Sequence, residues 1–250
     1  MSPSLLILGG TTEASNLALV LADRGIRAIF SYAGRVGKPR AQPVPVRVGG
    51  FGGVAGLAGY LRDNAITHVI DATHPFATGM SRNAVQACAA TGIPLVALTR
   101  PQWHPVAGDQ WRDIADIEAA VTALGGPPKR VFLALGRMHL AAFKAQPQHH
   151  YLLRLVDDPD TPPLPNCHLV VARGPFDVQG DMALMQRHDT QLIVCKNAGG
   201  AGAQAKLEAA RALHLPVLMI ARPDLPPRRE LVTPQQVLDW LDHPATDLGV

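Results

Sequence analysis

Apolar and polar positions along this chain follow two rhythms that take turns. Short apolar runs at Leu5–Leu8, Ala28–Tyr32, Val44–Val48, His68–Asp71 and Pro94–Leu98 have the length of buried strands. Between them, Thr12–Arg24, Val54–Asn64 and Ala77–Ala90 carry apolar residues at helical spacing. Gly125-Gly126-Pro127-Pro128 then interrupts the rhythm, because neither a helix nor a central strand tolerates that run. Beyond it, strands are predicted at Arg130–Leu135, Tyr151–Val156, Leu169–Ala172, Gln191–Cys195 and Val217–Ala221. Helices are predicted at Arg137–Lys144, Val178–His188, Ala203–Leu213 and Pro234–Asp242. Repeated strand–helix alternation predicts parallel sheets covered by helices. The break near the midpoint predicts two halves, 1–126 and 127–250.

The second half echoes the first. His68–Pro101 lies over Thr190–Pro223 without a gap at a constant offset of 122 residues, each copy reading strand, polar turn, Ala-rich helix, Pro, apolar strand, Arg-Pro. The echo places Arg100 and Arg222 just past the carboxyl ends of strands, where open α/β sheets bind ligands. The fold class expected is therefore α/β, with two Rossmann-like halves and a cofactor and substrate cleft between them.

Charge narrows the partners. A net charge of +3, with Lys and Arg scattered, gives no nucleic-acid footprint. Cys88, Cys167 and Cys195 are far apart and odd in number, which disfavours a disulfide framework or a metal centre and makes each a small core hydrophobe. Met1–Gly10 lacks the basic segment of a signal peptide, and no apolar run approaches the roughly 20 residues that span a bilayer. A cytoplasmic protein, a monomer or weak homo-oligomer, is expected.

Chemistry concentrates in the turns after strands. In Leu8-Gly9-Gly10-Thr11-Thr12-Glu13, the glycines allow close backbone approach to a ligand, and free amides at the helix start favour a phosphate. The third glycine of the GxGxxG fingerprint is missing, and the alternative is a tight turn with Thr11 or Thr12 as helix cap. An acid for the ribose 2′-hydroxyl is usual about 20 residues later, yet the second strand ends Ile29-Phe30-Ser31-Tyr32-Ala33-Gly34-Arg35. Ser31 and Arg35 suit a 2′-phosphate, with Lys38 and Arg40 adding charge, so NADPH is expected over NADH; the alternative is a solvated cationic loop. Asp71-Ala72-Thr73-His74-Pro75 places Asp71, Thr73 and His74 on the ligand edge, or else forms a capped helix start. Arg173 before Gly174-Pro175 is a carboxylate ligand or a surface ion-pair partner. In Lys196-Asn197-Ala198-Gly199-Gly200 the small residues admit a bulky ligand, and Lys196 is expected to bind an anion or donate a proton. At the same offset Lys196 falls opposite His74, which suggests that the two face one another across the cleft. The Gly49–Gly59 stretch is rich in glycine without an assigned role.

Five segments together resemble the precorrin-6A reductase family of corrin (vitamin B12) biosynthesis: Ile7–Ala14, Ile70–Ala77, Ala172–Phe176, Lys196–Gly200 and Ala221–Pro223. They occur in the family's order and span nearly the whole chain. The resemblance implies NADPH-dependent reduction of one double bond of precorrin-6A to precorrin-6B, or the same step on the cobalt-containing analogue. It implies no metal or flavin. Gly9, Gly10, Thr11, Thr12, Glu13, Ser31, Arg35, Asp71 and Thr73 would hold the nucleotide. His74, Arg100, Arg137, Arg173, Gly174, Lys196, Asn197, Gly199, Gly200 and Arg222 would hold the carboxylate-rich macrocycle. His74 and Lys196 are the side-chain candidates for proton delivery.

Other classes remain to be weighed. The Tyr-x-x-x-Lys pair of short-chain dehydrogenases is absent, since Tyr32, Tyr60 and Tyr151 have no Lys four residues on. A non-catalytic NADPH sensor would bind the nucleotide without turnover, and a corrin methyltransferase would bind S-adenosylmethionine instead.

Overall fold

The computed structural model describes residues 3–34 and 40–243. The chain begins with β1 (Ser4–Leu8), α1 (Thr12–Asp23), β2 (Arg27–Tyr32), β3 (Val46–Val48), α2 (Gly53–Asp63), β4 (His68–Asp71), α3 (Thr78–Thr91) and β5 (Leu95–Leu98). It continues through β6 (Gln110–Ile114), α4 (Ile117–Ala123), β7 (Arg130–Ala134), a 3₁₀ segment (Arg137–Ala145), β8 (His150–Leu155), β9 (Cys167–Val171), α5 (Val178–Arg187) and β10 (Leu192–Lys196). After a short 3₁₀ turn come α6 (Ala205–Ala212), β11 (Pro216–Ile220), β12 (Arg229–Leu231) and α7 (Pro234–Asp242).

Two six-stranded parallel sheets result, ordered β12-β5-β4-β1-β2-β3 and β6-β11-β10-β7-β8-β9. Each is the 3-2-1-4-5-6 order of a dinucleotide-binding fold. The α/β class and the parallel sheets expected from the sequence are borne out. The division between halves is corrected. The compact units are Met1–Arg100 with Asp224–Val250, and Pro101–Pro223. The Gly125–Pro128 break is a turn inside the second unit, between α4 and β7.

The cause is an exchange of sixth strands. β6 follows the fifth strand of the first sheet yet pairs with β11 of the second, while β12 follows β11 and pairs with β5. Arg112-Asp113-Ile114 in β6 and Arg229-Glu230-Leu231 in β12 hold the same register, Ile114 opposite Ile220 and Leu231 opposite Leu98. The same hydrogen bond closes each edge: Thr99 N–H donates to the Leu231 carbonyl at 2.9 Å, and Ala221 N–H to the Ile114 carbonyl at 2.8 Å. The echo seen in the sequence therefore extends, at a second offset, into strands that the hydrophobic rhythm did not predict. Both are short edge strands with exposed charged residues, so they lack a strand's apolar signature. The helix expected at Arg137–Lys144 is a 3₁₀ segment, Arg137–Ala145.

Alternation along β1 builds two core faces in the first unit. Leu5 and Ile7 pack with Leu17, Leu21, Phe30, Val237 and Trp240, whereas Leu6 and Leu8 pack with Leu57, Leu61 and Ala84. The second unit has its own core around Phe132, Ile193, Met185 and Leu207. Burial pushes the Cys88 thiol up to about 12 and the Cys195 thiol to about 11, so both serve as core hydrophobes. Among the described residues no helix is long and apolar enough to cross a membrane.

Candidate functional site

In a 3-2-1-4-5-6 sheet the strand order reverses between the first and fourth strands, and ligands bind beyond their carboxyl ends. In the first unit that point lies between β1 and β4. Gly9 follows β1 and donates its N–H to the Ser31 carbonyl at 2.9 Å. A Cβ on Gly9 would lie 2.2 Å from the Phe30 ring, so a glycine is demanded by packing. Gly10 has φ +122, which side-chain-bearing residues rarely adopt. Thr11 is the helix cap: its hydroxyl accepts the Ala14 N–H at 3.1 Å and donates to the Ala72 carbonyl at 2.8 Å. Thr12 is exposed in the first turn, and Glu13 pairs with Arg100 at 3.4 Å.

Ser31 is buried at the carboxyl end of β2, where no acid stands. Its hydroxyl accepts from Arg47 Nη1 at 2.8 Å. Arg35 and Lys38 lie outside the described residues. Arg47 sits in a strand that was predicted, but Ser31, the partner that ties it to the site, is 16 residues away, and no local pattern marks it.

At the end of β4, Asp71 is buried and fully engaged. Its Oδ1 accepts from Thr73 N–H at 3.2 Å and Thr73 Oγ1 at 2.7 Å, and its Oδ2 meets Arg228 Nη1 at 2.5 Å. Arg228, missed by the sequence reading, arrives just before the exchanged strand β12 and ties it to the site. The Asp71 carboxylate thereby shapes the turn that presents His74. His74 is exposed, and its Nδ1 accepts the Phe76 N–H at 3.2 Å.

In the second unit the corresponding point lies between β7 and β10. Lys196 ends β10, and its Nζ donates to His139 Nε2 at 2.7 Å. His139 belongs to the 3₁₀ segment after β7, next to exposed Arg137. An ammonium hydrogen-bonded to an imidazole can pass a proton and be resupplied. Asn197 holds the backbone of Trp103, accepting its N–H and donating to its carbonyl, both at 2.9 Å. The room left by Gly199 is taken by the chain itself: a Cβ there would lie 2.1 Å from the Pro101 carbonyl oxygen. The Gly200 carbonyl accepts the Trp103 indole N–H at 3.0 Å. Arg222 donates to the Asn197 and Ala198 carbonyls at 3.0 and 3.1 Å, fixing the loop that carries Lys196. Arg173, just before Gly174, is exposed and forms a loose pair with Asp157 at 3.7 Å.

A cavity of about 370 Å³ opens in the second unit, lined by Arg130, His150, Tyr151, His168 and His188 among others. It lies at the amino ends of β7, β8 and β9, the edge opposite to ligand binding in parallel sheets, and none of the site residues predicted from the sequence lines it.

A model of the family described as precorrin-6x reductase CbiJ/CobK matches residues 4–242. The chain is 59% identical over 248 residues to the precorrin-6A reductase of Rhodobacter capsulatus, covering 98% of this chain and 99% of that protein. It is 48% identical over 229 residues to the precorrin-6A reductase of Rhodococcus erythropolis, covering 91% and 92%. A cobalt-precorrin-6A reductase of Priestia megaterium is 26% identical over 235 residues, covering 88% and 91%. A solved structure of CobK precorrin-6A reductase matches with a TM-score of 0.93 at 59% identity, covering 99% of this chain and 100% of that one.

Proposed function

The chain belongs to the precorrin-6x reductase family and is an oxidoreductase, and from that premise we propose that it reduces a double bond of precorrin-6A with NADPH, giving precorrin-6B in cobalamin biosynthesis. The observation that carries the substrate is the 59% identity to a precorrin-6A reductase over nearly the whole of both chains. The first-unit edge fits a nucleotide. Glycines there have no room for or tolerance of a side chain, α1 starts at the turn, and the acid expected of a NAD site is replaced by buried Ser31.

When bound, nicotinamide supplies the hydride; the protein's own task is to position, neutralise and protonate. In this reading the first unit holds the nucleotide, with the Gly9–Gly10 turn and the α1 amides against its phosphates. The second unit offers Arg137, Arg173 and Lys196 to the macrocycle's carboxylates. Lys196, supported by His139, is the favoured proton donor, and His74 is a binding residue. Arg222, Asn197 and Gly199 act by shaping the Lys196 loop, and Asp71 and Thr73 by shaping the His74 turn.

A second reading, reduction of the cobalt-containing analogue, is less favoured because relatives named for that substrate are 26–28% identical, against 44–59% for those named for precorrin-6A. An anaerobic assay of nicotinamide oxidation with each macrocycle and each nucleotide tests both. Turnover of precorrin-6A with NADPH is expected. Turnover confined to the cobalt form would select the second reading, and tight nucleotide binding without any turnover would select a sensor.

A further inference from the structure

We propose that Arg47, on β3, reads the 2′-phosphate of the nucleotide together with Ser31; the proposal rests on the NADPH reading above. Ser31 is 5% exposed at the carboxyl end of β2, lies opposite Leu8 of β1, and its carbonyl accepts the N–H of Gly9 in the glycine turn. This is the position from which a carboxylate would hold an unphosphorylated ribose. Arg47 pairs in register with Ser31 across β2 and β3, and its Nη1 donates to the Ser31 hydroxyl at 2.8 Å. The cation is therefore built into the sheet beside the ribose-reading position.

Its surroundings are those of a prepared anion receptor. Nη1 also donates to the Gly49 carbonyl at 2.9 Å, and Nη2 donates to the Gly50 carbonyl at 3.1 Å. The guanidinium carbon lies 3.8 Å from the Phe51 ring centroid and 5.1 Å from that of Tyr60. Three of its five N–H donors are thus engaged, leaving Nε and one Nη2 hydrogen. All these partners are neutral. By contrast, Arg228 meets Asp71 and Arg100 meets Glu13, so those cations are compensated within the same unit. A fixed guanidinium with no carboxylate partner among the described residues attracts a dianionic phosphomonoester and discriminates against a bare hydroxyl.

The arrangement also gives the Gly49–Gly59 stretch a role. Gly49, Gly52 and Gly53 have φ of +124, +78 and +87. A Cβ on Gly56 would lie 1.7 Å from the Phe51 carbonyl oxygen. These glycines let the chain curl round the guanidinium and bring Phe51 against its face.

Calorimetric binding of adenosine 2′,5′-bisphosphate and of 5′-AMP to the full chain tests this without turnover. In the unsubstituted protein the bisphosphate is expected to bind more tightly. Arg47→Gln is expected to weaken the bisphosphate roughly 10- to 100-fold while leaving 5′-AMP within about 2-fold. Ser31→Asp, which sets a carboxylate against Arg47, is expected to abolish the same preference and serves if Arg47→Gln does not fold. Equal weakening of both nucleotides would make Arg47 a scaffold for the loop and overturn the proposal. An undiminished preference in a folded variant would assign the phosphate to other cations and also overturn it. Equal binding by the unsubstituted protein would overturn the NADPH reading itself, a separate outcome.

Discussion

The two units share one sheet order but leave their first strands differently. After β1 the chain turns through Gly9 and Gly10 into α1, a twelve-residue α-helix capped by Thr11. After β7 it turns through Gly136 into a nine-residue 3₁₀ segment. An α-helix of that length presents aligned amides and a partial positive charge to a phosphate. A 3₁₀ segment has poorer hydrogen-bond geometry and offers side chains instead, here Arg137 and His139. On the proposed reading one topology thus offers a backbone receptor in one unit and a side-chain receptor in the other, which is why a nucleotide is proposed for the first and a polycarboxylate for the second. Both units secure the exchanged segment with an ion pair: Arg228 to Asp71 in the first, and Asp109 to Arg211 in the second.

The ion pairs give the largest expected difference. Asp71→Ala leaves Arg228, whose side chain is 7% exposed, with a looser 3.6 Å pair to the exposed Glu230, and should destabilise by about 3–5 kcal/mol. Asp109→Ala leaves Arg211 at 32% exposure, within reach of water, and should cost about 1–2 kcal/mol. Urea unfolding of both variants measures the gap, and equal losses would refute the ranking. Next, Lys196→Met should lower kcat about 100-fold and flatten the pH profile of kcat, whereas His74→Ala should lower it less than about 10-fold. The reverse order would move proton delivery to the first unit.

The turns themselves come third. Gly9→Ala drives a methyl into Phe30 and should cost about 1–3 kcal/mol, while a Cβ on Gly136 meets nothing within 4 Å and Gly136→Ala should stay within about 0.5 kcal/mol. Thermal midpoints of the pair decide this. The smallest effect is a pH dependence. Burial holds His68 below the usual histidine range, with its ring edge-on to Trp240 of α7 at 5.1 Å. The unfolded chain therefore takes up the proton first. The stability owed to neutral His68 is present above about pH 6.5 and declines as pH falls from there towards the folded value. His68→Phe should remove that slope from the pH dependence of unfolding.

Much of this was legible. Buried runs such as Leu5–Leu8 predicted strands because a parallel strand covered on both faces must be apolar throughout. The glycine turn, Ser31, His74 and Lys196 were legible because each stands at or just past the carboxyl end of such a strand, and those ends define the ligand edge. β6 and β12 were not, because edge strands with exposed charged residues carry no such signature. Arg47, Arg228 and His139 were hidden for another reason: each acquires its role from a partner between 16 and 157 residues away.

The sequence by itself determined the α/β class, the doubled pattern, the family and the edge on which chemistry concentrates, since these follow from local periodicity and short motifs. Tertiary structure alone decided which half owns each sixth strand, which cations are compensated by acids and which side chains stand behind Ser31 and Lys196. Strand pairing and charge pairing join distant residues through hydrogen bonds and burial, and those contacts leave no period in the chain.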